Sequence, residues 1–451
     1  MSRVAIIGEN SIEYVDALLD IWNNGDCAVL IDCQTPPKAA IQMMMEAQVK
    51  KCFVEQKLYE KFCAVLDEGF ELVPYKRSEC SAILLPGHIY DKFRANYSKD
   101  EAIVIYSSGT TGRAKGIILS HFAINTNADA IIEYMCPHKE DCIYIVKPFS
   151  HSSTITGELL VALKTQMSLV VSPTVVPPRY VFSAVNKFKV SIMCINPTLL
   201  SMYSEGCLSL KLQTSSLKKI YVSGSILKKQ ILEKSRKAFE NIAIFNVYGL
   251  SEAGPRVSAQ RANYCNGNSV GTAISGVKIK IIDHNGQAVG NGETGLIHVY
   301  TPSIFSGYVS GNKALPSKCE GWLNTGDIGY FDNNNELHVI GRADDVIIVG
   351  AHKIYPSQVE QLVMESGNIK ECIVVMVNHS SGKEILCCLY VSSEDLQAEI
   401  KKHLNKHLIK YEVPQTFINV ENLPKTPNGK VSAKIARELV TKILFGGVSD
   451  D

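Results

Sequence analysis

The chain opens on short apolar runs alternating with segments of helical spacing. Val4 to Ile7 reads as a strand, Ile12 to Trp22 as a helix and Ala28 to Ile31 as a second strand. Pro36-Pro37 starts another helical stretch through Met45, and Cys52 to Val54 follows as a strand. This β-α-β-α-β order predicts a parallel sheet with crossover helices. The alternation recurs at Ile103 to Tyr106, Cys142 to Val146, Leu169 to Val171, Ile192 to Ile195, Ile220 to Val222 and Ile242 to Val247. An α/β region over residues 1 to about 250 is expected.

From Val270 the texture changes. Val277 to Ile282, Gly295 to Tyr300 and Glu336 to Ile340 are short strands, separated by turn clusters such as His284-Asn285-Gly286 and Asp332-Asn333-Asn334-Asn335. A small, mostly antiparallel β subdomain over about 270–343 is expected. Beyond Asp344 a helix is predicted near Ser357, with Ser357 as N-cap and Glu360 reaching back in a capping box. Strands Cys372 to Val377 and Ile385 to Val391 follow. Leu396, Ile400, Leu404 and Leu408 then mark one face of a helix. The predicted architecture is thus a large α/β domain (1–343) that includes the β subdomain, followed by a small α+β domain (344–451).

Composition narrows the function classes. Basic and acidic residues number 46 and 45, a net charge of +1, which argues against a general nucleic-acid binder. The 14 cysteines are scattered without a CxxC pair, so small reduced hydrophobes in a reducing cytoplasm are expected rather than a zinc or redox site. No segment approaches the ~18 apolar residues of a membrane span, and neither end carries the pattern of a signal peptide or lipid anchor. A soluble, cytoplasmic protein is the expectation.

The most informative stretch is Ile105-Tyr-Ser-Ser-Gly-Thr-Thr-Gly-Arg-Ala-Lys-Gly116. Glycines at 109, 112 and 116 let backbone amides turn toward an anion. The hydroxyls of Ser107, Ser108, Thr110 and Thr111 add donors, and Lys115 adds a point charge. A tri- or pyrophosphate suits this set. The spacing is not that of Walker A, because two residues separate Gly109 from Gly112 and glycine follows Lys115.

At this loop the chain resembles the adenylate-forming superfamily of acyl-CoA synthetases, peptide-synthetase adenylation domains and luciferases. Further motifs match in order, as far as Lys430. Asn246-Val-Tyr-Gly-Leu-Ser-Glu252 resembles the adenine and magnesium motif. The resemblance implies nucleotide contacts from Asn246, Tyr248, Gly249 and Ser251, with Tyr248 on the base and Glu252 helping to hold Mg²⁺. Trp322-Leu-Asn-Thr-Gly-Asp327 resembles the ribose motif. Gly341-Arg-Ala-Asp-Asp345 resembles the end of the large domain, with Arg342 at the ribose or phosphate and Asp344 as hinge. Pro424-Lys-Thr-Pro-Asn-Gly-Lys430 resembles the catalytic-lysine loop.

Lys147-Pro-Phe-Ser-His151 resembles the start of the acyl pocket. His151 would there lie beside the reacting carboxylate, with Ser152, Ser153, Thr154 and Gly157 as candidate walls. Ser223-Gly224-Ser225 is another candidate wall, with Gly224 and Ser225 near the nucleotide. Gly350 begins a stretch resembling the loop that CoA ligases present to a pantetheine thiol.

Two departures bear on function. The resemblance leads one to expect helices and strands ahead of the first βα unit, so an abbreviated edge of the large domain is predicted. No aspartate occupies Phe149 to Ser153, where amino-acid-activating relatives pair with the substrate amine. The expected activity is therefore activation of a fatty or aromatic acid by Mg·ATP, then transfer to CoA or, as the alternative, to the phosphopantetheine of an acyl carrier protein. A non-catalytic nucleotide-binding scaffold is the distant alternative. It would have no need of Lys115, Glu252, Asp327, Arg342 and Lys430 together.

Overall fold

The computed structural model describes the chain except for residues 66–68, 79–81, 108–113, 175, 213, 262–268, 310–317, 320, 350–351, 379–383, 426–430 and 447–451. The first sheet has seven strands. Its parallel centre runs Glu101–Ser107, Cys27–Ile31, Arg3–Ile7, Lys51–Glu55 and Glu71–Tyr75. Cys27–Ile31 is buried along its whole length, as a strand covered on both faces must be. Lys115–Ser120 then returns antiparallel to Glu101–Ser107. Gly307–Tyr308 joins from far along the chain, antiparallel to Lys115–Ser120.

The second sheet has a parallel centre of Ala243–Gly249, Lys219–Val222, Ile192–Ile195, Cys142–Ile145 and Ser168–Val171. Arg256–Ala259 and Thr272–Ala273 extend it antiparallel on one side, and Ile83–Leu84 pairs on the other. Helix His121–Met135 packs in the core between the two sheets. The Ser120 hydroxyl caps it by accepting from the Ala123 amide at 3.1 Å. Helix Ile12–Asn23 is capped in the same way by Ser11.

A third sheet is wholly antiparallel and contains Lys278–Ile282, Gly295–Tyr300, Trp322–Phe331 and Leu337–Arg342. The small C-terminal domain carries the hairpin Ile347–Val349/His352–Ile354 and a sheet of Glu371–Asn378, Glu384–Val391 and Thr416–Asn419. Helices Pro356–Glu365 and Gln397–His407 cover one face of that sheet, and Ala433–Phe445 covers the other. Ile400 and Leu404 are fully buried, as their spacing predicts.

The capping box is not formed. Tyr355 occupies the N-cap position and makes no side-chain cap bond. The Ser357 hydroxyl instead donates to the Ile340 carbonyl of the third sheet. Glu360 accepts from the Val374 amide at 3.0 Å and lies 3.6 Å from Lys228. Long-range partners outcompeted the local pair for both side chains.

Candidate active site

Strand Trp322–Phe331 pairs with Leu337–Arg342 so that Asp327 lies directly opposite Arg342. Arg342 donates from Nη1 to Asp327 Oδ1 at 3.2 Å and to the Thr325 carbonyl at 2.8 Å. The Thr325 hydroxyl accepts from the Asp327 amide at 3.0 Å and donates to the Ile297 carbonyl at 2.9 Å, which fixes the strand where it turns. Tyr248, at the end of the second sheet, donates its hydroxyl to Asp327 Oδ2 at 2.5 Å. Burial pushes the Asp327 carboxyl above its ordinary range, against the pull of Tyr248 and Arg342. Burial and the facing carboxylate hold the Tyr248 phenol well above its own.

Beyond Tyr248 the chain enters the short turn Ser251–Ala253, which carries Ser251 and Glu252. The Ser251 and Ser152 hydroxyls are hydrogen-bonded at 2.9 Å. Tyr308 donates to Glu252 Oε1 at 3.1 Å, and Lys115 Nζ stands 5.8 Å from the centre of the Tyr308 ring. Lys115 and Ser107 are cross-strand partners at the mouth of the glycine-rich hairpin. Tyr308 therefore links two motifs that are remote in sequence. Nothing in Phe305-Ser-Gly-Tyr308 marks it, because its role exists only through the antiparallel pairing of Gly307–Tyr308.

These residues border one cleft of about 2260 Å³ that reaches the C-terminal domain. Lys115, His151, Ser152, Gly224, Ser225, Asn246, Tyr248, Gly249, Ser251, Glu252, Asp327, Arg342 and Asp344 all line it. Asn246 also serves the frame: its side-chain amide donates to the Ser269 carbonyl at 3.1 Å, and its backbone amide donates to Gln260. Thr154 and Gly157 are buried one turn deeper on the helical run that His151 begins. Ser107 is described only as the end of its strand. Ser108, Gly109, Thr110, Thr111, Gly112, Gly350 and Lys430 lie outside the described residues.

Two features were not anticipated by the motifs. Lys147 Nζ forms a buried ion pair at 3.0 Å with Glu158, which sits on the π-helical turn Ile155–Leu159. Burial pushes the Glu158 carboxyl up to about 7, although Lys147 and Arg256 oppose the shift. Arg256 borders the cleft from the start of strand Arg256–Ala259 and is itself buried. A charged residue just after Ala253-Gly-Pro255 and before the apolar Val257 was the available signal. Among the described residues all cysteines are free, and no group of three or more His, Cys, Asp or Glu side chains could hold a metal. No described helix is long and apolar enough to cross a membrane.

A two-sheet large domain, a third antiparallel sheet and a small domain facing one shared cleft define an adenylate-forming architecture. The chain belongs to this superfamily: the AMP-binding enzyme family matches residues 1–309, and the AMP-binding enzyme C-terminal domain matches residues 358–430. The 4-coumarate–CoA ligase of Pinus taeda is 26% identical over 356 residues, covering 75% of this chain and 65% of that protein. The 4-coumarate–CoA ligase 1 of Petunia hybrida is 27% identical, covering 75% and 65%. The match thus spans slightly under two thirds of these relatives' length. In fold, ATP-bound MatB from Rhodopseudomonas palustris superposes with a TM-score of 0.87 at 21% identity, covering 98% of this chain and 89% of that one. The anthranilate CoA ligase AuaEII, solved with anthranoyl-AMP, gives 0.85 at 21% identity, covering 97% and 87%.

Proposed function

We propose that this protein is an ATP-dependent acid–thiol ligase. It joins a carboxylic acid to AMP with release of pyrophosphate and then passes the acyl group to the thiol of CoA. The observation that carries this reading is the convergence of Lys115, Tyr248, Glu252, Asp327 and Arg342 on one cleft. Each Asp327 oxygen already accepts one hydrogen bond, from Tyr248 or Arg342, and retains a lone pair for a ribose hydroxyl. The buried, doubly held carboxylate is thus pre-oriented for a diol. Tyr248 offers its ring to the base, Ser251 its hydroxyl to the α-phosphate region, and Gly224 and Ser225 line the same cleft. Lys115 and the 107–112 loop suit the polyphosphate.

Glu252 fits a magnesium ion. Its carboxylate borders the cleft with one oxygen engaged by Tyr308, and phosphate oxygens with water would complete an all-oxygen shell. Bound there, the ion would neutralise charge on the phosphates. The chain's own residues position the reactants. His151 stands at the acyl side of the cleft, and Lys430 would bring its ammonium to the substrate carboxylate and the bridging phosphate oxygen as charge builds at the α-phosphorus. The carboxylate oxygen attacks that phosphorus and pyrophosphate leaves. In the second half-reaction the thiol sulfur attacks the acyl carbon and AMP leaves.

The small domain (344–451) turns about Asp344 between the two steps, exchanging Lys430 for the Gly350 stretch. Phosphopantetheine on a carrier protein is the alternative acceptor, since it presents the same arm. The acid is not an α-amino acid, because Phe149 to Ser153 offers no carboxylate to its amine. Pyrophosphate release from Mg·ATP, measured over a panel of acids with and without CoA, tests this reading. Acid-dependent release that collapses in Asp327→Ala and Lys430→Ala is the expected result. Tight ATP binding without acid-dependent release would overturn it.

A further inference from the structure

The region behind His151 holds more charge than the reaction needs. The helical run begun by Ser152–Thr154 passes through the π-helical turn Ile155–Leu159, a geometry that recurs at functional sites. Glu158 projects from that turn and is fully buried against Lys147 at 3.0 Å. Arg256 lies against the same turn: a Cβ added to Gly157 would come 3.4 Å from Arg256 Nη2. The backbone of Arg256 is fully occupied: its amide donates to Asn127 Oδ1 and its carbonyl accepts from Asn127 Nδ2, both at 2.9 Å. The strand pairing with Gly249 and the Asn127 clasp therefore hold its side chain to one region.

The guanidinium is not matched. Arg256 is 3% exposed, its Nε has no hydrogen-bond partner, and among the described residues no carboxylate lies within ion-pair distance of it. Glu158 stands at ion-pair distance from Lys147, and among the described residues neither of its oxygens has a hydrogen-bond partner, so even its ionised form leaves two cations to one carboxylate. An uncompensated buried cation is strongly unfavourable, and a site that keeps one favours an anion there. Thr154 Oγ1, Thr156 Oγ1 and the Tyr134 hydroxyl are likewise buried without hydrogen-bond partners among the described residues. The region behind the cleft is thus polar, with two cations to one carboxylate and unspent hydroxyls, and Arg256 is the member of this group that lines the cleft itself.

We infer that Arg256 is a specificity-determining residue that receives a second anionic group at the far end of the acid, so that the preferred substrate is a dicarboxylic acid. The inference rests on the ligase reading for the reaction at the near carboxylate. Recognition of the distal anion by Arg256 is a separate property that binding alone can report. An acid without a distal anion leaves the guanidinium desolvated and unpaired, which is the arrangement that gives strong discrimination between substrates.

The test pairs succinate, glutarate, adipate and phthalate with butyrate, pentanoate, hexanoate and benzoate. It reads both pyrophosphate release with Mg·ATP and the thermal shift of the protein with each acid. The wild type, Arg256→Met and Arg256→Lys are compared. At least one diacid is expected to exceed its monoacid partner about tenfold to a hundredfold in kcat/KM. That ratio should fall to near one in Arg256→Met and recover in part in Arg256→Lys. Should the Met variant not fold, the wild-type ratio and the Lys variant decide. Release with monoacids at equal or greater efficiency overturns the inference and leaves the ligase reading standing. No release with any acid, but a diacid-specific thermal shift that Arg256→Met abolishes, upholds the inference and defeats the ligase reading. Absence of both signals overturns both.

Discussion

Tyr248 and Asp327 stand 79 residues apart in the chain and meet through a 2.5 Å hydrogen bond from the phenol to the buried carboxylate. One side chain comes from the end of the second sheet and the other from the antiparallel third sheet. Their contact joins the two sheets at the cleft, and Arg342 completes it from the neighbouring strand.

Asp327→Asn should keep the fold and lose the nucleotide. The amide is nearly the same shape, but it cannot accept from Tyr248, Arg342 and two ribose hydroxyls together. Affinity for ATP by titration calorimetry is expected to fall at least tenfold, since hydrogen bonds to charged groups contribute roughly 1.5–3 kcal/mol each. An unchanged affinity would remove Asp327 from the ribose site. Tyr248→Phe should weaken binding less, because the ring remains and only the bond to Asp327 is lost.

Tyr308→Phe addresses the link between Glu252 and the glycine-rich hairpin. Without the phenol, the Glu252 carboxylate loses its positioning partner at 3.1 Å. The Mg²⁺ concentration for half-maximal pyrophosphate release should rise about fivefold, from a contribution of ~1 kcal/mol. An unchanged magnesium dependence with lowered stability would give Tyr308 a role in the fold only.

Glu158 predicts a pH dependence of stability. Burial raises its carboxyl to about 7, above the ordinary value it recovers on unfolding. The folded state then holds a proton that the unfolded state releases. Its contribution is fully present below the ordinary carboxylate range and is lost as pH rises toward 7. The loss is on the order of 3 kcal/mol across that window. Glu158→Gln removes the titration, so its Tm should improve relative to wild type as pH rises through that interval. A constant difference in Tm would show that Glu158 stays ionised throughout.

Lys228 and Gln230 tie the large domain to the first helix of the small one. Lys228 Nζ lies 3.6 Å from Glu360 and donates to the Cys372 carbonyl at 3.4 Å, while Gln230 donates to the Met364 carbonyl. Burial opposes the charge on Lys228, yet the nearby Cys372 and Glu360 leave its ammonium harder to deprotonate than an ordinary lysine. Lys228→Met should loosen this docking. Limited proteolysis between the domains is expected to run about tenfold faster, from loss of a charge-assisted contact. Equal rates would mean that the pair contributes nothing to the docked state.

Periodicity and turn chemistry sufficed for most elements. Most parallel strands of both α/β sheets, the antiparallel region after Val270 and the helix carrying Ile400 and Leu404 follow from patterns that each lie within a few residues, whereas Glu71–Tyr75 and the antiparallel Lys115–Ser120, Arg256–Ala259 and Gly307–Tyr308 were not anticipated. Asp327, Tyr248 and Lys115 were singled out from the sequence as well, through short motifs that resemble the family's, and the structure brings them to one cleft. The capping box at Ser357 failed for the complementary reason. A hydroxyl and a carboxylate at the right spacing specify a local bond only when no better partner exists, and Ile340, Val374 and Lys228 supplied better ones.

The sequence by itself therefore determined the class of fold, the order of its motifs and the nucleotide-facing candidates, since those are written in local backbone requirements. Tertiary structure alone decided that Tyr308 stands between Lys115 and Glu252, that Lys147 pairs with Glu158, and that Arg256 is buried with no carboxylate at ion-pair distance among the described residues. Which charge is paired depends on strands that meet only after folding, and burial multiplies the consequence of leaving one unpaired.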